Sequence, residues 1–170
     1  MEEQETQWYV LYVRSNTEKR VAKNLQELGF ETLCPTRKTL RQWKDRKKKI
    51  DEVLFRNYVF VQTDRKRKND VFQEKNVLRY LHIGSEIARI TDKEVEMLKQ
   101  LSNLPGTDII EVDYSHFEVG ETVEITEGPL RGYTAEIVAK DNSKVRLLVS
   151  SLHTAIYVEA SALELRKKTP

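Results

Sequence analysis

Residues 8–13 read WYVLYV and residues 53–61 read VLFRNYVFV, and these two stretches decide the fold. In Trp8–Val13 every side chain is apolar or aromatic, the composition of a strand buried on both faces. Val53–Val61 is equally rich in β-branched and aromatic residues and reads as one strand. Alternation along it predicts Phe55 and Val59 on one face, with Tyr58 and Phe60 on the other. One set is expected to pack under helices. The other, with Tyr12, is expected on the far side of the sheet, as a partner surface or under the linker or second domain.

The remainder of the front half follows from periodicity. Ser15 opens an S-x-x-E pattern with Glu18, which predicts a capping box. Val21, Leu25 and Leu28, with Ala22 beside them, form the apolar stripe of a helix that stops at Gly29. Thr32–Cys34 reads as extended. Residues 65–75 suggest a short polar helix around Val71 and Phe72, and Val77–Ile83 another strand ended by Gly84. Thr91 opens a second capping box with Glu94, before the helical stripe Val95, Leu98 and Leu101. The order predicts an α+β fold, a small sandwich with helices on a mostly antiparallel sheet, over residues 1–102. Residues 103–115 hold Pro105, Gly106 and three acids and read as a linker. Residues 116–170 carry five short β-prone pieces, Val123–Ile125, Ala135–Val138, Val145–Val149, Ala155–Val158 and Leu163–Leu165. Their spacing predicts a small β-barrel.

Charge is unevenly spread. Residues 1–102 hold 22 Lys+Arg against 16 Asp+Glu, and the whole chain nets only +2. Residues 37–49 concentrate this: eight bases, one acid and a tryptophan. They read as an exposed hairpin arm. Arg41, Lys44, Arg46, Lys47, Lys48 and Lys49 are candidates for phosphate contact, because cationic side chains gain affinity by releasing counterions. Trp43 is a candidate for stacking on a base or for packing under the arm. The competing explanation is a solvated hairpin whose charges discourage edge-to-edge pairing.

No nucleophile constellation, phosphate-cradling glycine loop or His/Cys cluster with metal-ligand spacing stands out, so the reading is not an enzyme, with no cofactor and no metal. No apolar run is long enough to span a bilayer. The lone Cys34 and the acidic, polar N-terminus point to a reducing cytoplasm, with no membrane attachment.

The segment FEVGETVEITEGPLRGYTAEIV, residues 117–138, resembles a KOW motif, with Gly128 and Gly132 in its tight turn. Together with WYVLYV and LFRNYVFV it resembles the NusG family over Trp8–Leu165. The resemblance implies a NusG N-terminal domain, a linker and an SH3-like KOW barrel, acting as a monomer on the RNA polymerase elongation complex to suppress pausing. Arg56-Asn57-Tyr58 keeps the Asn-Tyr of RfaH-type proteins but not their proline. The pattern is also similar to UpxY-type antiterminators of polysaccharide loci.

By position, the resemblance implies polymerase contact through Tyr12, Tyr58 and Phe60, with Tyr80 and Ile83 at the rim. It implies nucleic-acid contact, to non-template DNA or nascent RNA, near Arg14, Arg20, Lys23, Asn24 and Lys75. A His-Thr-Thr patch that meets the polymerase gate loop in RfaH is replaced here by residues 64–68, DRKRK. The barrel loop Ser151-Leu152-His153-Thr154 stands where housekeeping members carry a bulkier sequence. That implies weak or absent binding of termination factor Rho and leaves a ribosomal protein as a further partner. The Val-, Ile-, Thr- and Tyr-rich barrel is expected to remain β rather than refold into helices. A housekeeping NusG and a ribosome-associated KOW protein are the alternatives.

Overall fold

The computed structural model describes residues 5–102, 108–111, 122–127, 132–137, 144–149, 154–159 and 164–167. The chain forms two compact units, residues 1–36 with 53–96, and residues 37–52 with 97–170.

The first unit is built on β1 (Gln7–Val13), which has the central place in a sheet of order β2-β5-β1-β6. Its partners are β2 (Glu31–Leu33), β5 (Tyr58–Thr63) and β6 (Val77–Tyr80), while β9 (Arg89–Ile90) also pairs with β1. Every ladder in this sheet is antiparallel, with Val10 opposite Phe60 and Tyr12 opposite Tyr58. The helix α1 (Glu18–Glu27) covers one face with Val21, Ala22 and Leu25, which join Tyr9, Leu11, Val13, Val59 and Val61 in the core. Cys34 packs against this core. Burial, and then the nearby Glu18 carboxylate, push its thiol up to about 11, so the thiolate is scarce. On the other face Trp8, Val10, Phe60 and Ile90 are also buried. β1 is thus buried on both faces, as its unbroken apolar run predicts. The second helix, α2 (Asp92–Leu101), buries Val95, Leu98 and Leu101.

Several local expectations are corrected. Val53–Val61 is not one strand. Val53 ends β4 (Lys47–Val53), and the chain reverses through Asn57, at φ 68°, before β5 begins. The reversal breaks the alternation, so Phe55 packs edge-on against Phe60, ring centroids 5.4 Å apart, rather than siding with Val59. The capping box at Ser15 does not form: α1 starts after Thr17 without a side-chain cap, and Glu18 instead accepts from the Asn57 N–H. The box at Thr91 does form, with Glu94 N–H donating to Thr91 Oγ1 and Thr91 N–H to Glu94 Oε2. Val77–Ile83 divides into β6 and β7 (His82–Ile83), which turns at Gly84 onto β8 (Glu86–Ile87). The short helix near Phe72 is a single 3-10 turn, Asp70–Gln73.

The arm is a two-stranded hairpin of β3 (Thr36–Gln42) and β4. The remaining strands, β10 (Asp108–Glu111), β11 (Thr122–Glu127), β12 (Thr134–Ile137), β13 (Lys144–Val149), β14 (Thr154–Glu159) and β15 (Glu164–Lys167), make one antiparallel sheet. Its order is β10-β14-β13-β12-β11-β15. All five strands expected in the barrel segment are present. β10 is an addition: four residues of the expected linker pair with β14, placing Ile109 opposite Ile156.

Candidate functional site

Tyr12 and Tyr58 are cross-strand partners at one end of the β1–β5 ladder. Both are half-buried, with rings edge-to-face at 6.1 Å between centroids. Such a pair holds two amphipathic rings in fixed geometry while leaving area for a partner. Arg79, opposite Tyr12 on β6, lays its guanidinium over the Tyr12 ring at 4.9 Å. Leu78, 46 % exposed, is the extra residue of the bulge beside it.

The other expected members of this group are placed differently. Phe60 shares the face of Tyr12 and Tyr58 but is fully buried. Tyr80 is a correction. The bulge puts it opposite Leu11, on the core face, 5 % exposed, with its hydroxyl donating to the Lys68 carbonyl at 2.5 Å. Ile83 is half-buried in the β7–β8 turn. Arg79 was not singled out by sequence reasoning. The available signal was a lone arginine inside an otherwise apolar strand.

A second group forms where α1 meets the loop before β6. Glu74, 8 % exposed, accepts from the Asn24 amide at 2.5 Å and from the Asn76 N–H and side-chain amide at 3.0 and 2.8 Å. Burial alone would push its carboxyl up. The hydrogen bonds from Asn24 and Asn76 and the charge of Arg20 outweigh this and hold it below its ordinary value. The Arg14 N–H donates to the Asn76 carbonyl. Of the sequence-predicted residues, Asn24 bonds this buried carboxylate and Arg20 acts on it by charge, while Arg14 reaches the same loop through its backbone and Lys75 follows Glu74 in the chain. The side chains of Arg14, Arg20, Lys23 and Lys75 are exposed. Glu74, the organiser, was missed because a lone glutamate in a polar loop carries no signal until Asn24 is beside it.

The arm exposes Arg41, Trp43, Lys44, Arg46 and Lys47–Lys49. Glu52 takes Arg37 at 3.1 Å and reaches Arg41 at 3.9 Å. In the stretch that replaces the His-Thr-Thr patch, Arg67 and Lys68 pack onto the first unit. Arg67 donates to the carbonyls of Leu28 and Gly29, at 2.8 and 3.3 Å, and lies over the Phe30 ring. Lys68 sits over the Tyr9 ring at 4.7 Å. The first of these neutralises the carbonyl end of α1. In the barrel loop, Ser151, Leu152 and His153 lie outside the described residues, and Thr154 opens β14. Among the described residues, no group of three or more His, Cys, Asp or Glu could hold a metal ion, and no helix is long and apolar enough to cross a membrane.

The family model described as transcription termination factor nusG matches residues 6–99, and the KOW motif matches residues 119–150. The chain is 30 % identical to the transcription termination/antitermination protein NusG of Vibrio parahaemolyticus, over 93 % of this chain and 91 % of that protein. To the Escherichia coli protein of the same name it is 29 % identical, with the same coverage. The solved structure of Thermotoga maritima NusG superposes with a TM-score of 0.51 at 22 % identity, covering 94 % of this chain and 97 % of that one, and agrees in fold. The chain therefore belongs to the NusG family, whose members are transcription factors and not enzymes.

Proposed function

We propose that the protein is a specialised antiterminator that binds the clamp of RNA polymerase through the Tyr12–Tyr58 surface and suppresses pausing and termination at particular operons, such as polysaccharide loci. The observation that carries the polymerase contact is the half-exposed tyrosine pair braced by Arg79. Its rings keep apolar area toward solvent in a fixed orientation, which favours a protein partner. Residues 1–102 act as the polymerase-binding domain, 103–115 as connector and 116–170 as the KOW domain. The basic residues around Glu74 and along the arm contact non-template DNA or nascent RNA. The protein works as a cytoplasmic monomer, and its KOW domain meets a ribosomal protein or another factor. The mechanism is selective binding of one polymerase conformation, with no chemical step.

The specialised reading is supported by Arg56-Asn57-Tyr58 and by the Ser151–Thr154 stretch, which has less bulk and charge than the housekeeping loop and holds no lysine or arginine. The test uses the full chain with a reconstituted elongation complex, with wild type and Tyr58→Ala compared. Tight binding that Tyr58→Ala weakens supports the clamp contact; equal binding by both refutes it. Rho capture as strong as that of a housekeeping NusG would remove the specialised reading.

A further inference from the structure

We propose that the tip of the β3–β4 arm is a binding site for single-stranded nucleic acid, with Trp43 as a stacking platform for an unpaired base and Arg46 and Lys48 beside it on the phosphates. The inference deepens the nucleic-acid contact proposed for the arm and rests on that reading.

Two hydrogen bonds fix the register of the arm. The Trp43 N–H donates to the Arg46 carbonyl at the tip, and the Leu54 N–H to the Pro35 carbonyl at the base, each at 2.9 Å. Pro35 to Trp43 and Arg46 to Leu54 are equal lengths of chain, so the hairpin runs between them without a net bulge. Alternation then puts Arg37, Arg41 and Trp43 on one face with Arg46, Lys48 and Glu52. Glu52 engages Arg37 and reaches Arg41, so the acid of this face sits at the base of the arm. Asp45 is the acid of the turn itself, and Lys44, Arg46 and Lys48 outnumber it around the indole, so the tip carries net positive charge.

Trp43 decides between strands and duplex. It is 62 % exposed, whereas Trp8 in the sheet is 3 % exposed, so Trp43 does not serve a core. Charges that merely protect an exposed hairpin explain the lysines and leave the tryptophan without a purpose. An indole gains little from phosphates, and its flat surface matches a base face. In a duplex those faces are covered by neighbouring base pairs, while in a single strand they are available, and every base has one. Cations beside the platform supply the sequence-independent phosphate term.

The test is fluorescence anisotropy of the full chain with labelled single strands of about 12 nucleotides, as DNA and as RNA, and with a duplex of the same sequence. Single strands are expected to bind more tightly than duplex. Trp43→Ala should weaken single-strand binding by about 5- to 100-fold, with Trp43→Phe keeping most of the affinity and duplex binding unmoved. The tighter of DNA and RNA identifies the source. The proposal falls if wild type binds no single strand, or if Trp43→Ala binds as wild type does. It falls equally if Trp43→Ala weakens strands and duplex alike. Core RNA polymerase free of nucleic acid separates the two readings. Trp43→Ala should bind it as wild type does, and failure of wild type there would remove the polymerase contact while leaving the stacking site in place.

Discussion

The Glu18 Oε1 atom accepts a hydrogen bond from the backbone N–H of Asn57 at 2.9 Å, joining the first turn of α1 to the reversal that sets up Tyr58. Asn57 returns two more contacts, from its side-chain amide to the Val13 carbonyl at 3.0 Å and to Ser15 Oγ at 2.8 Å. Its carbonyl accepts from the Val13 N–H at 2.7 Å. A left-handed residue, φ 68°, is thus fastened to β1 and α1 at once. Asparagine tolerates this conformation because its short amide can bond locally.

Replacing Asn57 by alanine should therefore cost about 2–3 kcal/mol, from left-handed strain and the lost amide contacts. Asn57→Gly should cost less, about 1 kcal/mol, because the backbone is then unstrained. Urea unfolding of both variants checks the order. Equal losses would mean that the backbone conformation contributes nothing.

The two S/T-x-x-E patterns make a matched pair. Thr91→Ala should destabilise by about 1 kcal/mol, since Thr91 and Glu94 cap one another. At the first pattern the roles have moved: Glu18 serves Asn57, and α1 begins without a side-chain cap. Glu18→Ala should thus cost about 1–3 kcal/mol through the part-buried Asn57 N–H it abandons, more than Ser15→Ala. A larger loss for Ser15→Ala would show that a capping box operates there after all.

Why one pattern was legible and the other not is a matter of distance along the chain. β1, the Val21 and Leu25 part of the α1 stripe and the five strands of the back segment are local patterns of period 2 or 3.6, and the arm is a run of basic residues; each was readable, whereas Leu28, read into the same stripe, lies beyond the helix and is exposed. Glu18 and Asn57 meet across 39 positions, and local spacing holds no trace of that. Tyr80 was named only by its position in the family pattern, and its place on the core face follows from an extra residue, Leu78, that shifts β6 against β1. Phe55 was misplaced by the reversal at Asn57. Candidate site residues in exposed basic segments were found by composition. Arg79 and Glu74 needed the register that brings Tyr12 and Asn24 beside them.

Glu74 gives the front unit an acid-sensitive element. Its folded pKa is lowered, so its stabilising contribution is present above its ordinary value of 4.5 and is lost as pH falls below it. Thermal melts from about pH 6 to about pH 3 should lose less stability in Glu74→Gln than in wild type. Asn24→Ala should raise the Glu74 pKa in an NMR titration, because it removes the foremost of the contacts that favour the charged form. An unchanged titration would mean that Asn76 and Arg20 suffice.

The back segment should hold its β structure in the free protein, and β10 should be part of it. Strands β11–β14 are neighbours in the sheet as well as in the chain, β15 returns beside β11, and β10 completes the order beside β14. Val145 and Val149 in β13, with Thr154, Ile156, Tyr157 and Val158 in β14, favour extended backbone. The backbone of Asp108–Glu111 pairs with Thr154–Tyr157, so amides there should exchange more slowly than those of an unpaired linker. Hydrogen exchange and backbone chemical shifts test both points. Slow exchange at 108–111 with strand-like shifts over 122–167 is expected. Fast exchange at 108–111 would detach β10 from the sheet, and helical shifts over 122–167 would mean that a second fold competes with this one.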